Sequence, residues 1–212
     1  MGSDSAVQSR LVVRNVHLWR GERHLLRGVS FEVNAGELLQ IMGPNGVGKT
    51  SLLRCIAGLL PVESGEIEWR GVRCEHRFDR LHEDLAYLAH VNALKSDLTA
   101  AENLRYAVGL RRSITSAQVQ ATLERLRIAH CADLPLRSLS AGQKRRVAIA
   151  RVLLSQSTLW ILDEPITNLD AAGIRLIEDC MAEHLRKGGL ILAAAHQTLL
   201  DGEPCVRTLE LH

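Results

Sequence analysis

Gly43-Pro44-Asn45-Gly46-Val47-Gly48-Lys49-Thr50 fits the pattern G-x-x-x-x-G-K-[ST] at every fixed position, the pattern of a loop that wraps a polyphosphate. Its surroundings are those the chemistry requires. Leu38 to Met42, just before it, is a nearly unbroken apolar run that predicts a strand covered on both faces. Ser51-Leu52-Leu53-Arg54-Cys55-Ile56-Ala57, just after it, continues as a helix. Strand, glycine turn and helix in that order aim backbone N–H groups and the positive helix end at one anion. The glycines keep side chains clear of that anion. Lys49 adds a charge for the β- and γ-phosphates of ATP, and the Thr50 hydroxyl is a ligand for the Mg2+ that travels with them.

Two further apolar runs share this character. Leu159-Trp160-Ile161-Leu162 ends in Asp163-Glu164, and Leu190 to Ala195 ends in His196. Both predict buried strands of a parallel sheet whose ends carry polar groups. Consecutive strand residues point apart, so Asp163 is placed to hold Mg2+ while Glu164 faces a different atom and accepts the proton of an attacking water. Earlier in the chain the texture is different. Val29, Phe31 and Val33 alternate with Ser30 and Glu32, and Ile67 and Trp69 with Glu66, Glu68 and Arg70, the period of half-exposed antiparallel strands.

From Thr99 to Ser155 the reading turns helical, with capping boxes at Thr99-x-x-Glu102, Thr115-x-x-Gln118 and Ser140-x-x-Gln143. A helix is expected from about Ala171 to Arg186, carried by Ile174, Ile177, Met181 and Leu185 and stopped by Gly188-Gly189. The whole chain reads as α/β, a single domain over 1–212 with a helical subdomain of about 91–138 inserted in the nucleotide-binding core.

Composition narrows the function classes. The 212 residues are 46% hydrophobic and 24% charged, ordinary for a folded globular domain and too apolar for a disordered chain. Twenty-six Lys and Arg against 24 Asp and Glu leave a formal charge of +2, no global reason to bind nucleic acid or an anionic membrane. The five cysteines include no C-x-x-C pair, which argues against a disulfide framework or zinc ribbon and for reduced cytosolic thiols. MGSDSAVQSR lacks the order of a secretion signal, and no apolar stretch reaches the roughly 20 residues of a membrane-spanning helix. Cys74, His76 and His82 match no zinc spacing and read as loop residues; Arg111-Arg112 and Lys144-Arg145-Arg146 read as solvated helix faces, the second close enough to Ser140 to aid binding of phosphate or of a partner chain.

Leu139-Ser140-Ala141-Gly142-Gln143 resembles the LSGGQ signature of ATP-binding cassette (ABC) proteins, with Ala141 in place of one glycine. The cassette order is kept throughout: phosphate loop, signature, Asp163-Glu164, an Asn168-Leu169-Asp170 similar to the D-loop, and His196 similar to the switch histidine. This resemblance implies a P-loop NTPase fold with a parallel RecA-like core sheet, N-terminal antiparallel strands and a helical insert. It implies an ATPase in which two cassettes meet head to tail, so that one chain's signature covers the γ-phosphate in the other's loop, and in which His196 contacts that phosphate. Two positions depart from the pattern. Where cassettes place a glutamine after Leu85 to Leu88, this chain has His90, and the adenine-stacking aromatic aligns at Arg20 with Trp19 beside it. Either side chain can lie on a purine face.

Within the cassettes, His90 in Tyr87-Leu88-Ala89-His90, the segment Ala93 to Leu104, the run Leu139 to Ala148 and the ending Ala195-His196-Gln197 resemble the ATP-binding subunit of the haem exporter of cytochrome c maturation. That resemblance implies ATP-driven work beside integral membrane subunits, at the cytoplasmic face of a bacterial inner membrane, with partner contact around Ala89 to Glu102. No C-x-x-C-H haem attachment site is present. The competing expectations are a cassette for another small solute and a soluble cassette acting on nucleic acid or the ribosome. The last is disfavoured by the lack of a second cassette, a coiled-coil insertion or a basic surface.

Overall fold

The apolar runs become neighbouring strands of one parallel sheet. A computed structural model describes residues 10–74 and 78–212. Its first layer is antiparallel: β1 (Arg10–Arg20), β2 (Arg23–Asn34), β4 (Ser64–Trp69) and β5 (Val72–Arg73), in the spatial order β2-β1-β4-β5. The second layer is parallel: β3 (Leu38–Met42), β6 (Leu85–Leu88), β7 (Leu159–Asp163), β8 (Leu190–Ala194) and β9 (Val206–Glu210), in the order β6-β7-β8-β3-β9. All residues of β7 and β8 are buried, as their unbroken hydrophobicity demands of central strands. The expected α/β architecture, with an antiparallel set ahead of a parallel core, is present.

Each face of the parallel sheet has its own core. On one, Leu39, Ile41, Ile161 and Leu192 pack with Leu52, Leu53 and Ile56 of α1 (Lys49–Ile56) and with Leu11, Val13 and Trp69 of the antiparallel sheet. On the other, Leu162, Ile191 and Ala193 meet Ile177 and Met181 of α6 (Ala171–Arg186). The same cluster continues through α5 (Ala141–Ser155) into α3 (Ala100–Gly109) and α4 (Ser116–Arg125), through Val147, Leu104 and Leu123. All three sequence-predicted capping boxes are closed: Thr99, Thr115 and Ser140 each accept the N–H three residues on, and Glu102, Gln118 and Gln143 reach back. Helix α6 has the bounds its periodicity predicts.

Three readings are corrected. His82 is on a short helix, α2 (Asp79–Asp84), with its Nε2 2.8 Å from the Ala57 carbonyl oxygen; Cys74 is buried, and His76 lies outside the described residues. Arg145 is no solvated residue, being 2% exposed, because the inner face of α5 turns it inward with Ala148, Ile149 and Val152. Arg111 and Arg112 lie just past the end of α3 and on no helix face; Arg111 is exposed, as a solvated residue should be, and the two donate to the carbonyl oxygens of Leu85 and Leu154 respectively.

Candidate functional site

Strand β3 runs into the glycine loop, and the loop into α1. Gly43 has φ 139°, and a Cβ there would sit 2.5 Å from the Leu211 carbonyl oxygen. Gly48, at the N-cap of α1, has φ 118° and would press a Cβ to 2.9 Å from Leu26 Cδ2. Both positions therefore demand glycine twice over, for backbone angle and for space. Lys49 folds back along the loop: its Nζ donates to the Gly43 carbonyl oxygen at 2.7 Å and the Pro44 carbonyl oxygen at 3.1 Å. Its ammonium is thus held inside the curve of the loop, 7% exposed.

Asp163 ends β7 directly opposite. Thr50 Oγ1 donates to its carboxylate at 2.9 and 3.2 Å. Hydroxyl and carboxylate oxygens side by side are the hard donors that Mg2+ prefers. Glu164 leaves the strand with φ 54°, a left-handed conformation that costs a non-glycine residue about 1–3 kcal/mol, and its N–H is held by the Ala194 carbonyl oxygen at 2.8 Å. His196 Nε2 lies 3.2 Å from Glu164 Oε1. A cleft of about 290 Å³ brings together Asn45, Gly46, Gly48, Lys49, Thr50, His90, Glu164 and His196, eight of the positions singled out in the sequence. Tyr87, in β6 below it, has its phenol pushed up to about 12, by burial first and by Asp163 second.

The signature occupies another place. Ser140, Ala141, Gly142 and Gln143 line a separate cleft of about 500 Å³ with Asn168, Leu169 and Asp170. A Cβ on Gly142 would lie 2.8 Å from the Asn168 carbonyl oxygen, so signature and D-loop are in near-contact. Ser140 Oγ accepts the Gln143 N–H at 3.2 Å and keeps its own proton for a further acceptor. Asp170 caps α6 through the Gly173 N–H at 2.8 Å and pairs with Arg146 at 3.0 Å; that N–H foremost, then Arg146, holds its carboxyl below the usual range. Trp19 and Arg20 join neither cleft. The Trp19 indole lies flat on His24, ring centroids 4.2 Å apart, and both side chains are exposed.

Two residues of consequence escaped the sequence. Gln40 is fully buried in β3; its Nε2 donates to the Gln197 carbonyl oxygen at 2.7 Å and its Oε1 accepts the Leu199 N–H at 3.0 Å, pinning the segment that follows His196. Arg145 reaches five oxygens, three in the Asp163-Glu164-Pro165 turn and two, of Ala89 and Asn92, on either side of His90. Its signal was the spacing of 145, 148, 149 and 152 on one helical face.

A phosphate loop, an acidic strand end and a signature helix on a parallel sheet define a nucleotide-binding cassette, and the family model described as ABC transporter matches residues 26–167. The chain belongs to the ABC transporter ATP-binding family and is an ATPase of that class. It is similar to the cytochrome c biogenesis ATP-binding export protein CcmA of Vibrio parahaemolyticus, 42% identical over 95% of this chain and 98% of the relative. To the CcmA of Escherichia coli O157:H7 it is 41% identical, over 95% and 96%. Among solved structures, a putative ABC transporter ATP-binding protein from Pyrococcus furiosus shares the fold, with TM-score 0.83 at 23% identity over 96% of this chain and 98% of that one. Among the described residues no helix is long and apolar enough to cross a membrane.

Proposed function

We propose that this chain is the ATP-hydrolysing subunit of a membrane transporter that delivers haem for c-type cytochrome biogenesis. The observation that supports the chemistry best is the convergence of Lys49, Thr50, His90, Glu164 and His196 on one cleft, with Asp163 hydrogen-bonded to Thr50. Similarity to export proteins of cytochrome c biogenesis along 95% of the chain supports the cargo class. The chain forms one cassette, with residues 91–138 as its helical subdomain.

In this reading the amides of Gly43–Thr50 and the Lys49 ammonium bind the β- and γ-phosphates. Thr50 and Asp163 would hold Mg2+, which when bound would offset phosphate charge. Glu164, oriented by its contact with His196, takes a proton from water as the water oxygen bonds to the γ-phosphorus and the bond to the ADP oxygen breaks. His196 donates to the γ-phosphate, and His90 stands at the edge of the cleft where it meets phosphate or bound water. Trp19 or Arg20 lies on the adenine face once the Trp19–His24 stack opens.

The signature cleft, Leu139 to Gln143 with Asn168-Leu169-Asp170, faces the nucleotide of a second copy. The N-terminus of α5 adds N–H donors there, and no carboxylate of the signature competes for them. Two chains bound head to tail would enclose two ATP molecules and part after hydrolysis, moving integral membrane subunits of the cytochrome c maturation system at the cytoplasmic face of the inner membrane. The near-balanced charge of +2 supports a protein partner over nucleic acid.

Glu164→Gln tests the chemistry. The variant is expected to bind ATP, accumulate as a dimer by light scattering in Mg2+-ATP, and lose turnover; hydrolysis at the parent rate would exclude Glu164 as the base. The cargo is tested in cells lacking the chromosomal gene, where the parent chain should restore haem-stained c-type cytochromes and Lys49→Ala should not. Full restoration by Lys49→Ala would refute the proposal.

A further inference from the structure

Arg145 is the least exposed cation among the described residues, at 2%, and its hydrogen bonds go to carbonyl and amide oxygens, none to a carboxylate. It leaves α5 one and a half turns after the signature cap Ser140 and ends beneath the other cleft. Its Nε donates to the Pro165 carbonyl oxygen at 3.3 Å, and its Nη2 to the carbonyl oxygens of Asp163 and Glu164, each at 2.6 Å. Its Nη1 donates to the Ala89 carbonyl oxygen at 2.9 Å and to Asn92 Oδ1 at 2.8 Å. A guanidinium has five N–H donors in a fixed planar fork, and here five acceptors surround it. Burial lowers its pKa to about 10, against the raising influence of Asp163 and Glu164, so it stays a cation at neutral pH.

The five acceptors belong to two segments, and each carries a group of the nucleotide cleft. Asp163, Glu164 and Pro165 form the turn that presents the Glu164 carboxylate, in the strained conformation described above. Ala89 and Asn92 bracket His90. We infer that Arg145 is a positioning residue for ATP hydrolysis: it locks the Glu164 turn and the His90 loop in one register and ties both to the helix that begins at the signature. Closure of that helix end on a neighbouring chain's nucleotide is thereby passed to this chain's own carboxylate. The inference rests on the proposed roles of Glu164 and the signature, and adds Arg145 as the link between them. No part of Arg145 lines the nucleotide cleft, so it acts through Glu164 and His90 and does not touch ATP.

The test compares Arg145→Lys with the parent. Lysine keeps the charge, but its donors radiate from one atom and cannot span both segments. Binding of a fluorescent ATP analogue is measured on the isolated full chain, and phosphate release on the complex copurified from membranes. Arg145→Lys is expected to keep its analogue Kd and its KM for ATP within about threefold of the parent, while kcat falls about tenfold or more, the scale of a small misplacement of a catalytic group. An unchanged kcat would overturn the inference. So would a rise in Kd together with a fall in kcat and Tm, the mark of a purely structural residue. Should Arg145→Lys fail to fold, Asn92→Ala decides: it removes a single acceptor from a half-buried loop, and is expected to lower kcat several-fold at constant Kd. A kcat equal to the parent's in that variant would refute the link. A parent chain that takes up no nucleotide would refute the underlying site, a distinct failure visible in the binding arm alone.

Discussion

His184 should make this fold sensitive to mild acid. Its ring lies flat on Trp160, centroids 3.8 Å apart, with Nε2 3.1 Å from the Thr158 carbonyl oxygen. Burial is the dominant cause that drives its pKa down from 6.5 to about 4, outweighing the hydrogen bond to Thr158. The folded protein therefore keeps the ring neutral in a range where the unfolded chain takes up a proton. Between pH 6.5 and 4 the unfolded state binds more protons, so stability falls as pH falls through that window and is fully present above it. Linkage with these two values gives a loss of about 2.5 kcal/mol at pH 4.5 relative to pH 8. Urea unfolding at the two pH values measures it, and His184→Phe isolates it: phenylalanine keeps the stacking and cannot be protonated. The variant is expected to lose little stability at pH 8, because the Thr158 carbonyl oxygen still accepts the Leu190 N–H at 2.9 Å, and to show a pH dependence shallower by about 2 kcal/mol. A parent and a variant with equal slopes would refute the reasoning.

Two substitutions probe how the clefts are held. Gln40→Leu leaves the buried Leu199 N–H without its acceptor, at a cost of about 1–3 kcal/mol in urea unfolding. It also frees the segment behind His196, so ATP turnover should drop further than the stability loss explains; turnover at the parent level would dissociate Gln40 from the site. Gly142→Ala sets a Cβ 2.8 Å from the Asn168 carbonyl oxygen, although Ala141 beside it is already an alanine. It should cost about 1–3 kcal/mol of overpacking in the same unfolding assay and reduce turnover with ATP affinity unchanged, because the phosphate loop is untouched.

Strands β3, β7 and β8 were legible because central parallel strands are buried on both faces and must be written in apolar residues. Helix α6 and the three capping boxes were legible for equally local reasons, namely a spacing of about 3.6 residues and hydroxyls at the N-cap. Strand β9 was not: Val206–Glu210 is an edge strand, mostly exposed, so little of its sequence is constrained by burial. The phosphate loop and the Asp163-Glu164 strand end announced themselves, since the chemistry fixes residue types at fixed spacing. Gln40 and Arg145 stayed hidden because their acceptors are distant in sequence and mostly backbone oxygens, which leave no trace in side-chain identity. A basic run next to the signature reads as solvated by default, and only the helical phase of Arg145 speaks against it.

The two clefts share a chain but not a location, and this has a genetic consequence. In the head-to-tail pair proposed above, a defect in the glycine cradle and a defect in the signature damage different halves of different sites. A cell making both kinds of defective chain assembles some mixed pairs in which one site draws its two sound halves from opposite subunits. Such alleles should complement one another partially, whereas two cradle defects should not.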